Sequence, residues 1–182
     1  MRKILTFVAA ILLSLSLADT IYADEITDSD LQKAEITYQD DEITVGRWGN
    51  DPEILKKIEE SPTSVTVTEE SSLIQPAKTV IGPGGKVTID AASNGRRIYW
   101  TVKPNTSWPW WFIGEIRLRY YSGYKRNQHI EGVGALGGSD GGYISMNKNN
   151  GGIATLKGTA YSMNNSKFTV MPGASVPFGK GR

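Results

Sequence analysis

What most constrains this chain is an alternation of apolar and polar residues with a period of two, which recurs from residue 63 almost to the end. Successive side chains of an extended strand point to opposite faces, so this pattern buries one face and wets the other. Val65 and Val67 alternate with Thr66 and Thr68, and Val87 and Ile89 with Thr88 and Asp90. Ile98, Trp100 and Val102 alternate with Arg97, Tyr99 and Thr101. Phe112, Ile116, Leu118 and Tyr120 share one face of a longer stretch, while Ile113, Glu115, Arg117, Arg119 and Tyr121 share the other. Further strands are expected over residues 130–136, 143–146, 153–161 and 168–171.

Turn chemistry separates these runs: Gly82-Pro83-Gly84-Gly85, Asn94-Gly95, the glycine-rich stretch from Gly137 to Gly142, Asn149-Asn150-Gly151-Gly152 and Asn164-Asn165. Roughly seven to nine short strands with such spacing predict a mainly β fold, an antiparallel β-sandwich that is Ig-like or related. No long helical pattern interrupts them, which disfavours a parallel α/β sheet.

The start of the chain reads as an address. Arg2 and Lys3 precede an apolar run from Ile4 to Ala18, and Ala23 offers a small residue for cleavage. This order predicts a secretory signal peptide over residues 1–23 and hence a secreted, extracellular and bacterial protein. The run falls short of the ~20 residues that span a membrane, so no transmembrane segment is expected in the mature chain.

Charge divides the rest of the chain in two. Residues 24–81 hold 14 Asp and Glu against 5 Lys and Arg, whereas residues 82–182 hold 4 against 13. Of the 20 glycines, 18 lie in the second part. The division places an acidic N-terminal segment at residues 24–61 and a basic, glycine-rich β-sandwich domain at residues 62–182. The acidic segment is expected to be partly helical or disordered, with one short helix near residues 52–60. There Asp51 can cap, Pro52 suits the first turn, and Ile54, Leu55 and Ile58 make a narrow apolar stripe. A helix of about ten residues must dock on something or fray. Lying on the basic domain and masking it is one role such a segment could take.

Chemistry is harder to find. With no cysteine and one histidine, thiol catalysis, disulfides and multi-histidine zinc sites are excluded. No metal ligands, cofactor or catalytic constellation is expected. His129 lacks a serine on a nucleophile elbow, and the β region offers only Asp90, Glu115, Glu131 and Asp140 as carboxylates. A hydrolase built on these groups is a third-ranked reading.

The cluster Ser107-Trp108-Pro109-Trp110-Trp111-Phe112 is the strongest local feature. Alternation sends Trp110 and Phe112 to the core and Trp111 to the other face. Exposed indoles stack on sugar rings or sit in a membrane interface, and nearby arginines attract anionic polymers and lipids. Trp108, Trp111, Tyr121, Arg117 and Arg119 are therefore the expected ligand-binding residues. The expected function is an exported, non-catalytic binding or surface-associated module, with a cell-envelope glycan, anionic polymer or lipid as partner. The alternative is a membrane-active secreted effector, antibacterial or toxin-like, masked by the acidic segment. The mixture of arginine and tyrosine also suits nucleic acid, but export argues against that as the natural partner.

Overall fold

A computed structural model describes residues 26–60, 78–148, 151–169 and 174–179. The expected signal peptide, the alternating run at Val65 to Thr68 and most of the change from acidic to basic composition lie outside the described residues. Within them the chain forms helices α1 (Asp28–Gln32) and α2 (Pro52–Glu59). Its strands are β1 (Glu35–Gln39), β2 (Ile43–Gly49), β3 (Thr79–Gly82), β4 (Gly85–Ala91), β5 (Arg97–Pro104) and β6 (Trp110–Tyr120). They continue with β7 (Lys125–Gly134), β8 (Asp140–Met146), β9 (Gly152–Ser162), β10 (Lys167–Thr169) and β11 (Ala174–Phe178). All pairings among the described residues are antiparallel. One sheet has the order β1-β2-β8-β5-β4-β3, the other β10-β9-β6-β7, with β11 also paired along β9.

The two sheets share one core and pack in the manner of a sandwich. Ile43, Val45, Ile98, Trp100, Val102 and Ile144 face it from the first sheet, and Phe112, Ile116, Leu118 and Leu156 from the second. Removing each such side chain from water stabilises the fold by about 1.5–3 kcal/mol. The faces expected of β4, β5 and β6 are those observed, with Trp110 and Phe112 inside and Trp111 outside.

The outer face of the first sheet departs from expectation. Tyr99, Thr101, Thr88 and Asp90, which alternation assigns to solvent, are all buried. The cause is the acidic stretch. Asp51 accepts hydrogen bonds from the amides of Glu53 and Ile54, and Pro52 opens α2. The helix lays Ile54, Leu55 and Ile58 onto Trp48, Tyr99 and Tyr143, closing a second apolar cluster. Beside it, Thr27 and Asp30 form a capping box on α1, and the buried Trp48 indole donates to the Asp30 carbonyl at 2.7 Å. Strand β2 lies between β1 and β8, with Ile43 opposite Met146. Chain from both sides of the compositional divide thus belongs to the same sheet. Charge follows this architecture: Asp40 pairs with Arg126 (2.7 Å), Glu59 with Lys86 (2.7 Å) and Asp41 with Lys148 (2.9 Å).

Many glycines sit inside strands, where turn chemistry would not place them. Gly141 and Gly142, read as turn from the sequence, open β8. The reason is room for aromatic rings. Trp100 lies across Gly142, Trp110 across Gly134 and Tyr143 across Gly46, so that a Cβ at any of these glycines would run into the ring. Glycine within a strand marks such close approaches.

Candidate functional site

With α1 and α2 on the first sheet, the outer face of the second sheet has no covering element among the described residues. The register sets out its rows. Trp111 on the central strand β6 lies between Val133 of β7 and Tyr161 of β9. Ile113 lies between Glu131 and Thr159, Glu115 between His129 and Lys157, Arg117 between Asn127 and Thr155, and Arg119 between Lys125 and Ile153. One end of the face is therefore apolar and the other is polar and basic.

At the apolar end the rings of Trp111 and Tyr161 stack, with centroids 5.3 Å apart and planes inclined by 18°. Trp111 is 44 % exposed, Ile113 45 % and Val133 51 %. Singly exposed apolar residues are ordinary, but three adjoining ones beside the half-buried Tyr161 make a patch that water does not favour. Trp108 is exposed in the loop before β6, its amide bonded to the Thr106 hydroxyl at 3.1 Å.

Along the face the charges pair before any ligand arrives. Arg117 binds Glu115 on the same strand. His129 and Glu131 meet at 2.9 Å and both are exposed. Arg119 donates to the carbonyls of Leu118 and Arg126 and to the Asn127 side chain. Lys125, Lys157 and Lys167 add to Arg117 and Arg119, so five cationic side chains share this face with two glutamates.

Of the five residues expected from the sequence, the structure brings Trp111, Arg117 and Arg119 to one strip of the sheet face and leaves Trp108 and Tyr121 beyond its ends. Tyr121 follows the far end of β6 and is exposed there. At about 3.3 Å per residue it stands roughly 33 Å from Trp111. Trp111 and the two arginines share the sheet face, whereas Trp108 and Tyr121 occupy loops at opposite ends. Sequence reasoning missed Tyr161, Val133 and Lys157, which register alone brings beside β6. Tyr161 carried a faint signal, since it ends the alternating run from Ile153 in phase with the other outward positions.

The carboxylates considered for hydrolysis each have a side-chain partner: Asp90 with Lys78 (2.6 Å), Glu115 with Arg117, Glu131 with the His129 imidazole and Asp140 with Arg47. Among the described residues no cluster of three or more His, Asp or Glu side chains could hold a metal ion, and no helix is long and apolar enough to cross a membrane. No family model matches this chain, and no curated protein matches it in sequence.

Proposed function

We propose that this chain is an exported, non-catalytic binding module that contacts cell-envelope glycans or anionic polymers through the outer face of its second sheet. The observation that carries the reading is the exposed Trp111, stacked on the half-buried Tyr161 beside the exposed Ile113 and Val133 at one end of a basic strip. Flat aromatic faces suit the apolar sides of sugar rings, and arginines and lysines suit polyanions. Trp108, Arg117, Arg119 and Tyr121 extend the contact along the strip. Export rests on the N-terminal sequence pattern. The finer fold assignment belongs to the same reading. Antiparallel pairing and face-to-face sheets support a sandwich, and eleven strands among the described residues, against the roughly seven to nine of immunoglobulin domains, favour a related architecture. The test is binding of residues 24–182 to purified envelope glycan and to an anionic wall polymer, compared with Trp111→Ala. Retention no greater than that of the variant on both would sink the proposal.

A second reading uses the same face on a membrane, since tryptophan favours the interface and basic charge favours anionic lipid. Masking by the acidic segment has less support than insertion itself. Residues 26–60 pack on the other sheet, and β2 is an interior strand of it. Residues 62–182 alone are then expected to be poorly folded instead of unmasked. A fragment that unfolds cooperatively and leaks anionic vesicles better than residues 24–182 would restore the masked effector.

A further inference from the structure

At the edge where β1 and β2 of the first sheet pass over β7 of the second, the sheets leave a cavity of about 340 Å³. Trp100, Val45, Gly46, Gln128 and Ile130 are among its walls. It is separate from the Trp111 face, and only His129 and Glu131 at its rim also belong to that face.

Two observations make it a built site. Trp100 is 1 % exposed, yet its Nε1 finds no hydrogen-bond acceptor among the described residues. The ring lines the cavity and lies across Gly142, with its Nε1 edge close to that glycine. A buried donor left without an acceptor is unfavourable, and native folds rarely keep one without a reason. The second observation is Gln128, 7 % exposed, whose amide donates to the His129 carbonyl at 3.1 Å. A buried amide and a buried indole on residues that line one cavity together with the apolar Val45 and Ile130 are the mixture that orients a small ligand in an apolar pocket.

Charge decides the ligand's class. Arg47 lines the cavity, but its guanidinium is taken up by Asp140, and Glu35 and Glu131 also act on it. The walls therefore hold no excess positive charge for an anion. A neutral ligand fits: an acceptor oxygen for the Trp100 N–H, hydroxyls for Gln128 and Glu131, and an apolar side for Val45 and Ile130. The volume lies at the low end of the roughly 300–1,000 Å³ common for ligand pockets. We propose that this cavity binds a neutral, hydroxyl-bearing ligand of about the size of one sugar ring.

Five tryptophans give five indole N–H signals in a nitrogen-15 spectrum of the full mature chain. Glucose, N-acetylglucosamine and, as an anionic control, glucuronate are the probes. A neutral sugar at millimolar concentration is expected to shift the Trp100 signal saturably. Trp110, also buried without an acceptor but not a wall of this cavity, is expected to stay put. Trp100→Phe identifies the signal. Gln128→Ala, which leaves the core ring in place, is expected to weaken binding roughly tenfold, the loss of one hydrogen bond. The proposal is overturned if no neutral sugar moves Trp100, if only glucuronate does, or if all indole signals move together. A long-lived water on the Trp100 N–H that no sugar displaces would overturn it as well.

Discussion

Arg47 and Asp140, 93 positions apart in sequence, form an ion pair in which the Asp140 side chain is wholly buried. The arginine comes from the acidic stretch and the aspartate from the basic one, opposite to the overall charge of each. Asp140 also accepts a hydrogen bond from the Val133 amide at 2.6 Å, so one carboxylate links β2 and β8 to β7 on the other sheet. Gly132 makes this possible, since a Cβ there would lie 3.2 Å from that carboxyl.

Breaking this pair leaves a buried charge without its partner, which costs far more than losing a surface pair. Arg47→Met is therefore expected to lower unfolding free energy by about 3–5 kcal/mol. Urea denaturation with an unchanged slope measures it. A loss below about 1 kcal/mol would mean that the pair behaves like an exposed one.

Gly142→Ala carries a different penalty. Its Cβ would collide with the Gly46 carbonyl and press on the Trp100 ring at 3.0 Å. Backbone cannot swing aside as a side chain does, so a cost of about 3 kcal/mol is expected, at the upper end for overpacking. The near-ultraviolet dichroism of Trp100 should change with it. Gly49→Ala makes a useful contrast. Space there is open, but φ is +64°, so a loss of about 1–2 kcal/mol with an unchanged tryptophan signature is expected.

These two sites show what sequence could reveal and what it could not. Ile98-Trp100-Val102 and Phe112-Ile116-Leu118-Tyr120 alternate cleanly because one side of each strand meets the core, and those faces were legible. Asp51-Pro52 and the stripe of Ile54, Leu55 and Ile58 located α2 for the same kind of local reason. Strand β2 was hidden although Ile43, Val45 and Arg47 alternate with Thr44, Gly46 and Trp48, because the surrounding acidic charge suggested a solvated segment. Its burial depends on β8, about a hundred residues away, and on α2 covering Tyr99 and Tyr143. The candidate face was half legible: Trp111, Arg117 and Arg119 follow from the period of two. Tyr161 and Val133 follow only from register, which a single strand does not carry.

Stability should fall at both ends of the pH range. Asp30 has its carboxyl held below the usual value of 3.8 by the Thr27 amide, against the opposing effect of burial, and further by the Thr27 hydroxyl and Lys57. A carboxyl lowered in the folded state stabilises it above its unfolded value, and that contribution is lost as pH falls through the folded value. Unfolding free energy should thus drop below about pH 4, and Asp30→Asn should flatten the drop. Burial, with help from Glu42, pushes the Tyr120 phenol from 10.0 up to about 12. A raised phenol stabilises the fold below pH 10, and that contribution is lost as pH rises through about 12. Tyr120→Phe should remove this alkaline loss. Denaturation midpoints that fall equally in variant and parent would assign the loss to other groups.

Trp111 and Tyr161 sit on the surface, so their removal should separate binding from folding. A stacked pair contributes about 0.5–1.5 kcal/mol beyond its area, and Trp111→Ala should cost the fold little more than that. Phe112→Ala, one position along and fully buried, should cost about 3–5 kcal/mol. Retention on envelope glycan or anionic polymer should show the reverse order for variants that remain folded. Trp111→Ala and Tyr161→Ala should each weaken it, with the double variant losing less than the two effects added, because the rings act as one platform. Arg117→Ala and Arg119→Ala should instead reduce the sensitivity of binding to salt, since charge contacts are screened over about 10 Å at 0.1 M. If both aromatic variants bind like the parent while the arginine variants do not, contact lies toward the basic end of the strip, and Trp111 is a surface residue of the fold without a role in recognition.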